Sequence, residues 1–241
     1  MILSLRDDDL AASDCARLFA KGVPALASPS HQLVKLPFDE QSVSGAEGFI
    51  LTSQQAAYAL PETGKNRPVF TVGRASAASA RQRGYERVRW GPSDGAALAR
   101  MIQDDKDSAK LRLCWLRAKA ISFDIASALR LCDFTVDEHI VYEMAAQTHM
   151  PDKVVAACRS GDISAIMALS KSQLSAAQRL LDHYALWHLK EEVMLYCVSE
   201  AVGAFAHEQG WRNITVARRK RALSVQACVI CDYRHKRSSK E

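Results

Sequence analysis

The chain repeats itself. Residues Phe70 to Trp90 align without a gap on Tyr196 to Val216, with Gly84 falling on Gly210 and Tyr85 on Trp211. Each copy reads as strand, polar loop, helix, glycine stop and strand. A second echo precedes each copy: Phe49 to Ala57 matches Ile166 to Leu174, an apolar strand running into hydroxyl and amide residues ahead of a helix. Few folds accommodate such a pattern. Two similar α/β units are expected, with a cleft between them.

With 241 residues the chain has room for two domains, each large enough to bury a core of its own. The segment from Met1 to Pro29 predicts only a strand, a helix over Leu10 to Ala20 stopped by Gly22, and a second strand. That βαβ piece is too short to be a domain. It is completed by strands and helices from the second half: helices at Lys153 to Arg159, Ala177 to Tyr184 and Ala201 to Gln209, strands at Ala165 to Leu169, Met194 to Val198 and Asn213 to Val216. One domain is therefore expected to be discontinuous, residues 1–33 plus 148–241. An inserted domain occupies 34–147, with strands from Phe49, Phe70 and Leu111, helices at Ala96 to Gln103 and Ser122 to Leu131, and a turn at Gly91-Pro92. Leu33 to Leu36 going out and Ile140 to Met144 coming back would pair as a two-stranded hinge near 33–37 and 140–148. Strands alternating with helices make the fold class α/β, two similar doubly wound parallel-sheet domains joined by that extended hinge.

Composition narrows the function classes. Hydrophobic residues make up 48% and charged residues 24%, and no apolar run approaches the ~18 residues of a membrane span. The start of the chain turns acidic at Asp7, unlike a signal peptide, so a cytoplasmic protein without membrane contact is expected. Seven scattered cysteines read as small buried hydrophobes of a reducing compartment. Only Cys228 and Cys231 have ligand spacing, and with no second pair nearby they fit a terminal-helix core better than a metal site. The net charge of +5 lies largely in Arg218 to Arg221 and in the tail from Arg234 to Lys240, without the aromatic interleaving of a nucleic-acid surface. These tracts are either solvated surface or, for Arg218 to Arg221, a means of steering an anionic substrate.

In parallel α/β sheets, ligands bind beyond the carboxyl ends of the strands, where helix starts offer free amides. Four loops fall there: Thr52-Ser53-Gln54, Gly73-Arg74-Ala75-Ser76, Ser170-Lys171-Ser172, and Ser199 with Glu200. Ser53, Ser170 and Ser199 either cap their own helices or bind ligand; four such loops on one cleft favour a ligand carrying carboxylates or phosphates. There is no phosphate loop, dinucleotide fingerprint, nucleophile elbow or His pair at helix spacing, which disfavours cofactor chemistry.

The ordered series Thr52-Ser53, Val72-Gly73 with Ser76 and Gly84, Leu116-Arg117, Val141-Tyr142-Glu143, Leu169-Ser170 with Ser172, and Cys197-Val198-Ser199-Glu200 resembles the uroporphyrinogen-III synthase family over nearly the whole chain. The resemblance implies a lyase of tetrapyrrole (haem) biosynthesis. Hydroxymethylbilane, a small-molecule polycarboxylate, loses water and closes with its last pyrrole ring inverted through a spiro intermediate. No metal or organic cofactor is implied. A monomer is expected, with room for transient contact with the preceding pathway enzyme. Tyr142 stands where the family places its best candidate for helping the hydroxyl depart; its other reading is an aromatic plug. Ser76 stands where Thr is usual and would touch a substrate carboxylate, while Arg74 and Lys171 join the substrate-binding set by charge and placement. Arg117 follows a strand end, but Ala118 replaces an expected glycine. Ser4-Leu5-Arg6-Asp7 keeps only the arginine of the usual Thr-Arg-Pro opening, leaving Arg6 as a candidate; Ala201-Val202 and Arg219-Lys220 also depart from the pattern. The alternatives are a catalytically inactive tetrapyrrole- or small-anion-binding relative, and a two-domain binding protein for another anion.

Overall fold

The computed structural model describes residues 1–91, 94–105, 107 and 111–238. Pro92 of the expected Gly91-Pro92 turn and the last residues of the basic tail lie outside them. The chain divides into two compact units, one formed by Met1–Gln32 with Ala145–Glu241, the other by Leu33–Met144.

In chain order, β1 (Ile2–Ser4), α1 (Asp8–Phe19) and β2 (Ala25–Ala27) make a parallel βαβ unit, followed by β3 (His31–Lys35). Next come β4 (Gly48–Leu51), β5 (Val69–Val72), α2 (Gly73–Gln82), β6 (Val88–Gly91), α3 (Gly95–Gln103), β7 (Arg112–Ala118), α4 (Ile125–Arg130) and β8 (Thr135–Ala146). The chain then runs through α5 (Asp152–Arg159), β9 (Ala165–Ala168), α6 (Lys171–His183), α7 (Leu189–Glu192), β10 (Met194–Cys197), α8 (Glu200–Glu208), β11 (Ile214–Val216) and α9 (Ala222–Ser238). No described helix is long and apolar enough to cross a membrane.

The first unit holds a sheet in the order β11-β10-β9-β1-β2, the second a sheet in the order β3-β8-β7-β4-β5-β6. The pairings β1 to β2 and β9, β10 to β9 and β11, β4 to β5 and β7, β5 to β6, and β7 to β8 are parallel, so the α/β class expected from the sequence holds. Both passages of the chain between units lie inside β3 and β8, which are neighbours in the second sheet. β8 is more than one side of a ribbon, because β7 pairs with it as far as Tyr142.

Each sheet is buried on both faces, as continuous apolar strands require. In the first unit Leu3, Ile166 and Leu195 face a core with Val154, Leu180 and Trp211, while Ile2, Met167 and Tyr196 face α1 and α9 through Leu18, Val225 and Val229. In the second, Phe49, Leu51, Cys114 and Leu116 pack towards α2, and Ile50, Phe70 and Trp115 towards α3 and α4.

The repeat is real in three dimensions. Gly84 and Gly210 close α2 and α8 with φ of +88° and +87°, the left-handed conformation in which a side chain strains. In each copy the next amide, of Tyr85 or Trp211, reaches back to the equivalent carbonyl, Ala80 (3.2 Å) or Ala206 (3.1 Å). Both aromatics are buried.

Local differences from the expected elements have simple causes. The helix anticipated at Ser122 starts at Ile125 because the Asp124 carboxylate accepts the Ser127 amide (3.0 Å) and caps it there. The helix anticipated from Ala177 starts six residues earlier at Lys171, capped by Ser170. After Thr52-Ser53 the chain makes a 3₁₀ turn over Gln54–Ala59 in place of an α-helix.

Candidate functional site

In a doubly wound sheet the crevice forms where strand order reverses, since the loops leaving adjacent strands there diverge to opposite faces. In the second unit that point lies between β4 and β7. A cavity of about 280 Å³ opens there, at the carboxyl ends of β4, β5 and β7 and beside the middle of β8. Thr52 and Ser53 line it from the loop after β4, Asp94 and Gly95 from the start of α3, and Tyr142 from β8. Ala118 and Ile121 to Phe123 form the loop wall after β7.

Tyr142 is 6% exposed, its ring set in the core beside Val141 and Leu116. Among the described residues its hydroxyl makes no hydrogen bond, so it is available to a ligand in the cavity it lines. Trp115 also borders the cavity; it is fully buried and its indole N–H finds no acceptor among the described residues. Arg117, next but one along β7, is committed: it donates to Glu138 (2.8 Å) and to the Ala118 carbonyl (2.9 Å) and lies over the Trp115 ring. Glu138 is also held by Arg130 (3.0 Å). Ser53 Oγ accepts the Gln55 amide (3.2 Å), capping its turn, and Gln54 is exposed. Gly73 opens α2 with φ +71° and Arg74 is exposed beside it. Ser76, expected to touch a substrate carboxylate, is 4% exposed on the inward face of α2, because three residues into a helix that begins at Gly73 the side chain turns towards the sheet.

In the first unit the reversal lies between β1 and β9. Arg6, just past β1, donates to Asp14 Oδ1 (3.1 Å). Asp14 is 1% exposed and also accepts from Ser4 Oγ (2.8 Å) and from Gln226 Nε2 of α9 (2.7 Å). Past β9, Ser170 caps α6 by accepting the Gln173 amide (3.1 Å), Lys171 is exposed with its ammonium over the Phe205 ring, and Ser172 Oγ lies 3.1 Å from His31 Nε2. Ser199 opens α8 without spending its hydroxyl on a cap. Of the three serines with two readings, Ser53 and Ser170 cap and Ser199 does not. Arg218 to Arg221 are exposed at the carboxyl end of β11.

Sequence reasoning passed over Asp14, His31, Asp94 and Trp115. Asp94 carried a signal, an acidic residue before Gly95 and an apolar helix, and it caps α3 by accepting the Ala97 amide (2.8 Å). The others carried none, since each matters through a partner distant in sequence. Among the described residues no group of His, Cys, Asp and Glu is arranged to hold a metal ion.

A pair of doubly wound α/β units, one with a small crevice where strand order reverses, places the chain in the two-unit α/β class. Within that class the family is specific. Residues 15–225 match the family model described as uroporphyrinogen-III synthase HemD, and the chain belongs to that family. Among solved structures, uroporphyrinogen-III synthetase from Helicobacter pylori 26695 is 16% identical, with 95% of this chain and 98% of that one covered and a TM-score of 0.63. A mutant uroporphyrinogen III synthase from the extremely thermophilic bacterium Thermus thermophilus is 15% identical, with 100% and 99% covered and a TM-score of 0.54. At these identities the likeness carries the fold. No curated protein sequence matches the chain significantly.

Proposed function

We propose that the protein is a uroporphyrinogen-III synthase, a cytoplasmic lyase that dehydrates and cyclises hydroxymethylbilane with inversion of the last pyrrole ring. The observation that carries the proposal is that Tyr142, whose hydroxyl has no partner among the described residues, lines a crevice at the strand-order reversal of a chain belonging to the HemD family. Tyr142 hydrogen-bonds the departing hydroxyl of the substrate. The remaining candidates act on the carboxylates: first-turn amides at Gly73, Lys171 and Glu200, the hydroxyls of Thr52 and Ser199, and the exposed cations Arg74 and Lys171. Because ring closure without inversion proceeds unaided, the enzyme's task is to hold the folded conformer that attacks at the substituted carbon, and positioning supplies most of the barrier reduction. β3 and β8 serve as the hinge of opening and closing. Ser76 and Arg117 drop out of direct substrate contact, since one is buried and the other is tied to Glu138.

The test is a coupled assay with freshly made hydroxymethylbilane and separation of the oxidised cyclic isomers. Dominance of the type III isomer supports the proposal. Type I alone, as without enzyme, refutes it and leaves a binding relative.

A further inference from the structure

The first unit carries a hydrogen-bonded line of side chains that synthase chemistry leaves unexplained. Ser30 Oγ lies 2.9 Å from the Leu5 carbonyl oxygen and 3.0 Å from His31 Nδ1, and His31 Nε2 lies 3.1 Å from Ser172 Oγ. Counting protons fixes every direction. A hydroxyl has one proton and a carbonyl only accepts, so the Ser30 proton goes to Leu5 and its lone pair takes Nδ1–H. Nδ1 therefore bears the ring proton and Nε2 is bare in the neutral ring. Ser172 must donate its own proton to it. Ser30 is fully buried, which fixes the orienting end, whereas Ser172 is exposed at the other.

This is the arrangement of an activated nucleophile: a hydroxyl within hydrogen-bond reach of a base whose far nitrogen is oriented by a third group. Burial foremost holds the His31 pKa below its usual value; Asp7, on the loop after β1, opposes that, and Arg179 on α6 reinforces it. The ring is thus a neutral base at pH 7. The Gln173 amide is taken by Ser170, while the first-turn amides of Lys171 and Ser172 have no intrahelical acceptor and can face a developing oxyanion.

We propose that Ser172 is a nucleophile, with His31 as its general base, that accepts an acyl group from an activated carboxylic ester. Ser172 Oγ attacks the carbonyl carbon as its proton passes to His31 Nε2. The imidazolium returns that proton to the departing alkoxide, leaving acyl-Ser172 and free alcohol. A water deprotonated by His31 then releases the carboxylic acid and restores the hydroxyl. Ser30 stabilises the imidazolium less than a carboxylate would, so turnover is slow.

The inference rests on the first unit alone and is independent of the synthase proposal. The test uses the full chain and a fluorophosphonate, in which Ser172 Oγ displaces fluoride at phosphorus, with the adduct mapped by peptide mass spectrometry. One adduct is expected, on Ser172. It disappears in Ser172→Ala, and it forms about 100-fold more slowly in His31→Gln. Ser30→Ala, which leaves both reacting groups in place, slows it less, and the wild-type rate rises with pH to a plateau with its midpoint below the ordinary histidine value. Circular dichroism checks that the variants are folded. No adduct, an adduct on another residue, or a rate indifferent to both His31→Gln and Ser30→Ala overturns the proposal.

Discussion

Asp14 is the point at which the first unit can be taken apart with one substitution. Its carboxylate, 1% exposed, is the common acceptor for Ser4 at the end of β1, Arg6 beyond it and Gln226 on α9, so it fastens a helix from the far end of the chain to the first strand. Asp14→Ala strands two buried donors, Ser4 (0% exposed) and Gln226 (4%), at about 1–3 kcal/mol each, and leaves Arg6 without its counter-charge. Folding no longer has to bury a carboxylate, which offsets part of that sum. The net loss is expected at about 3–4 kcal/mol, in the range for breaking a buried charge contact. Urea unfolding followed by far-UV circular dichroism and tryptophan fluorescence should show the transition of the Met1–Gln32 and Ala145–Glu241 unit moving while that of Leu33–Met144 stays. Ser4→Ala with Asp14→Ala and Gln226→Leu removes the stranded donors along with their acceptor, and should recover more than half of the loss. A loss below ~1 kcal/mol for Asp14→Ala, or a triple variant no better than the single one, would show that the shared acceptor does not hold these elements together.

Tyr142→Phe is expected to lower type III formation by about 100-fold or more while stability stays within ~0.5 kcal/mol, because the lost hydroxyl has no protein partner among the described residues; turnover near normal would remove Tyr142 from the mechanism. Gly84→Ala and Gly210→Ala should each destabilise by about 1–2 kcal/mol in urea titrations, since both positions require left-handed φ, and a stabilising effect at either would contradict the helix-stop role. Thiol titration of the native protein at neutral pH should find Cys132 and Cys231 reacting readily and Cys114, Cys158 and Cys197 only after unfolding. Burial pushes those three thiols up to about 12, 11 and 11 from an ordinary 9.0. Their contribution to stability is therefore complete below about pH 9 and is lost as pH rises towards 11–12, which an alkaline unfolding curve measures.

What the sequence revealed is what local physics enforces. Gly84 and Gly210 announce helix ends because few other residues tolerate the conformation, and the apolar runs of β4, β5, β9 and β10 announce parallel strands because both faces are covered. The candidate site was legible only as a set of loops. That Thr52 and Ser53 lie with Tyr142 on one cavity follows from the neighbouring of β4, β7 and β8, which no spacing encodes. The burial of Ser76 was not legible, because a position in a loop motif says nothing of the face it occupies once the helix starts at Gly73. His31 and Asp14 were invisible for the same reason as the cavity: their partners Ser172 and Gln226 stand far away in sequence.

The two sheets also explain how one chain arrives at two similar strand-order reversals. By the repeat, β9, β10 and β11 correspond to β4, β5 and β6, and in each unit these three lie on one side of the strand-order reversal. The other side is β1 and β2 in the first unit, and in the second β7 and β8 with β3 beyond them at the edge. The first unit makes this pair before its repeated strands and the second makes it after them, so the two have the same spatial order with the chain order permuted. The echo visible in the sequence covers the strand-helix-strand segments that follow β4 and β9, and so only part of each domain. The crevice lies at the junction between the echoed and the permuted parts. Its side chains therefore differ most where the units should be most alike: Arg6 tied to Asp14 beside capping Ser170 in one, Ala118 and Tyr142 beside capping Ser53 in the other.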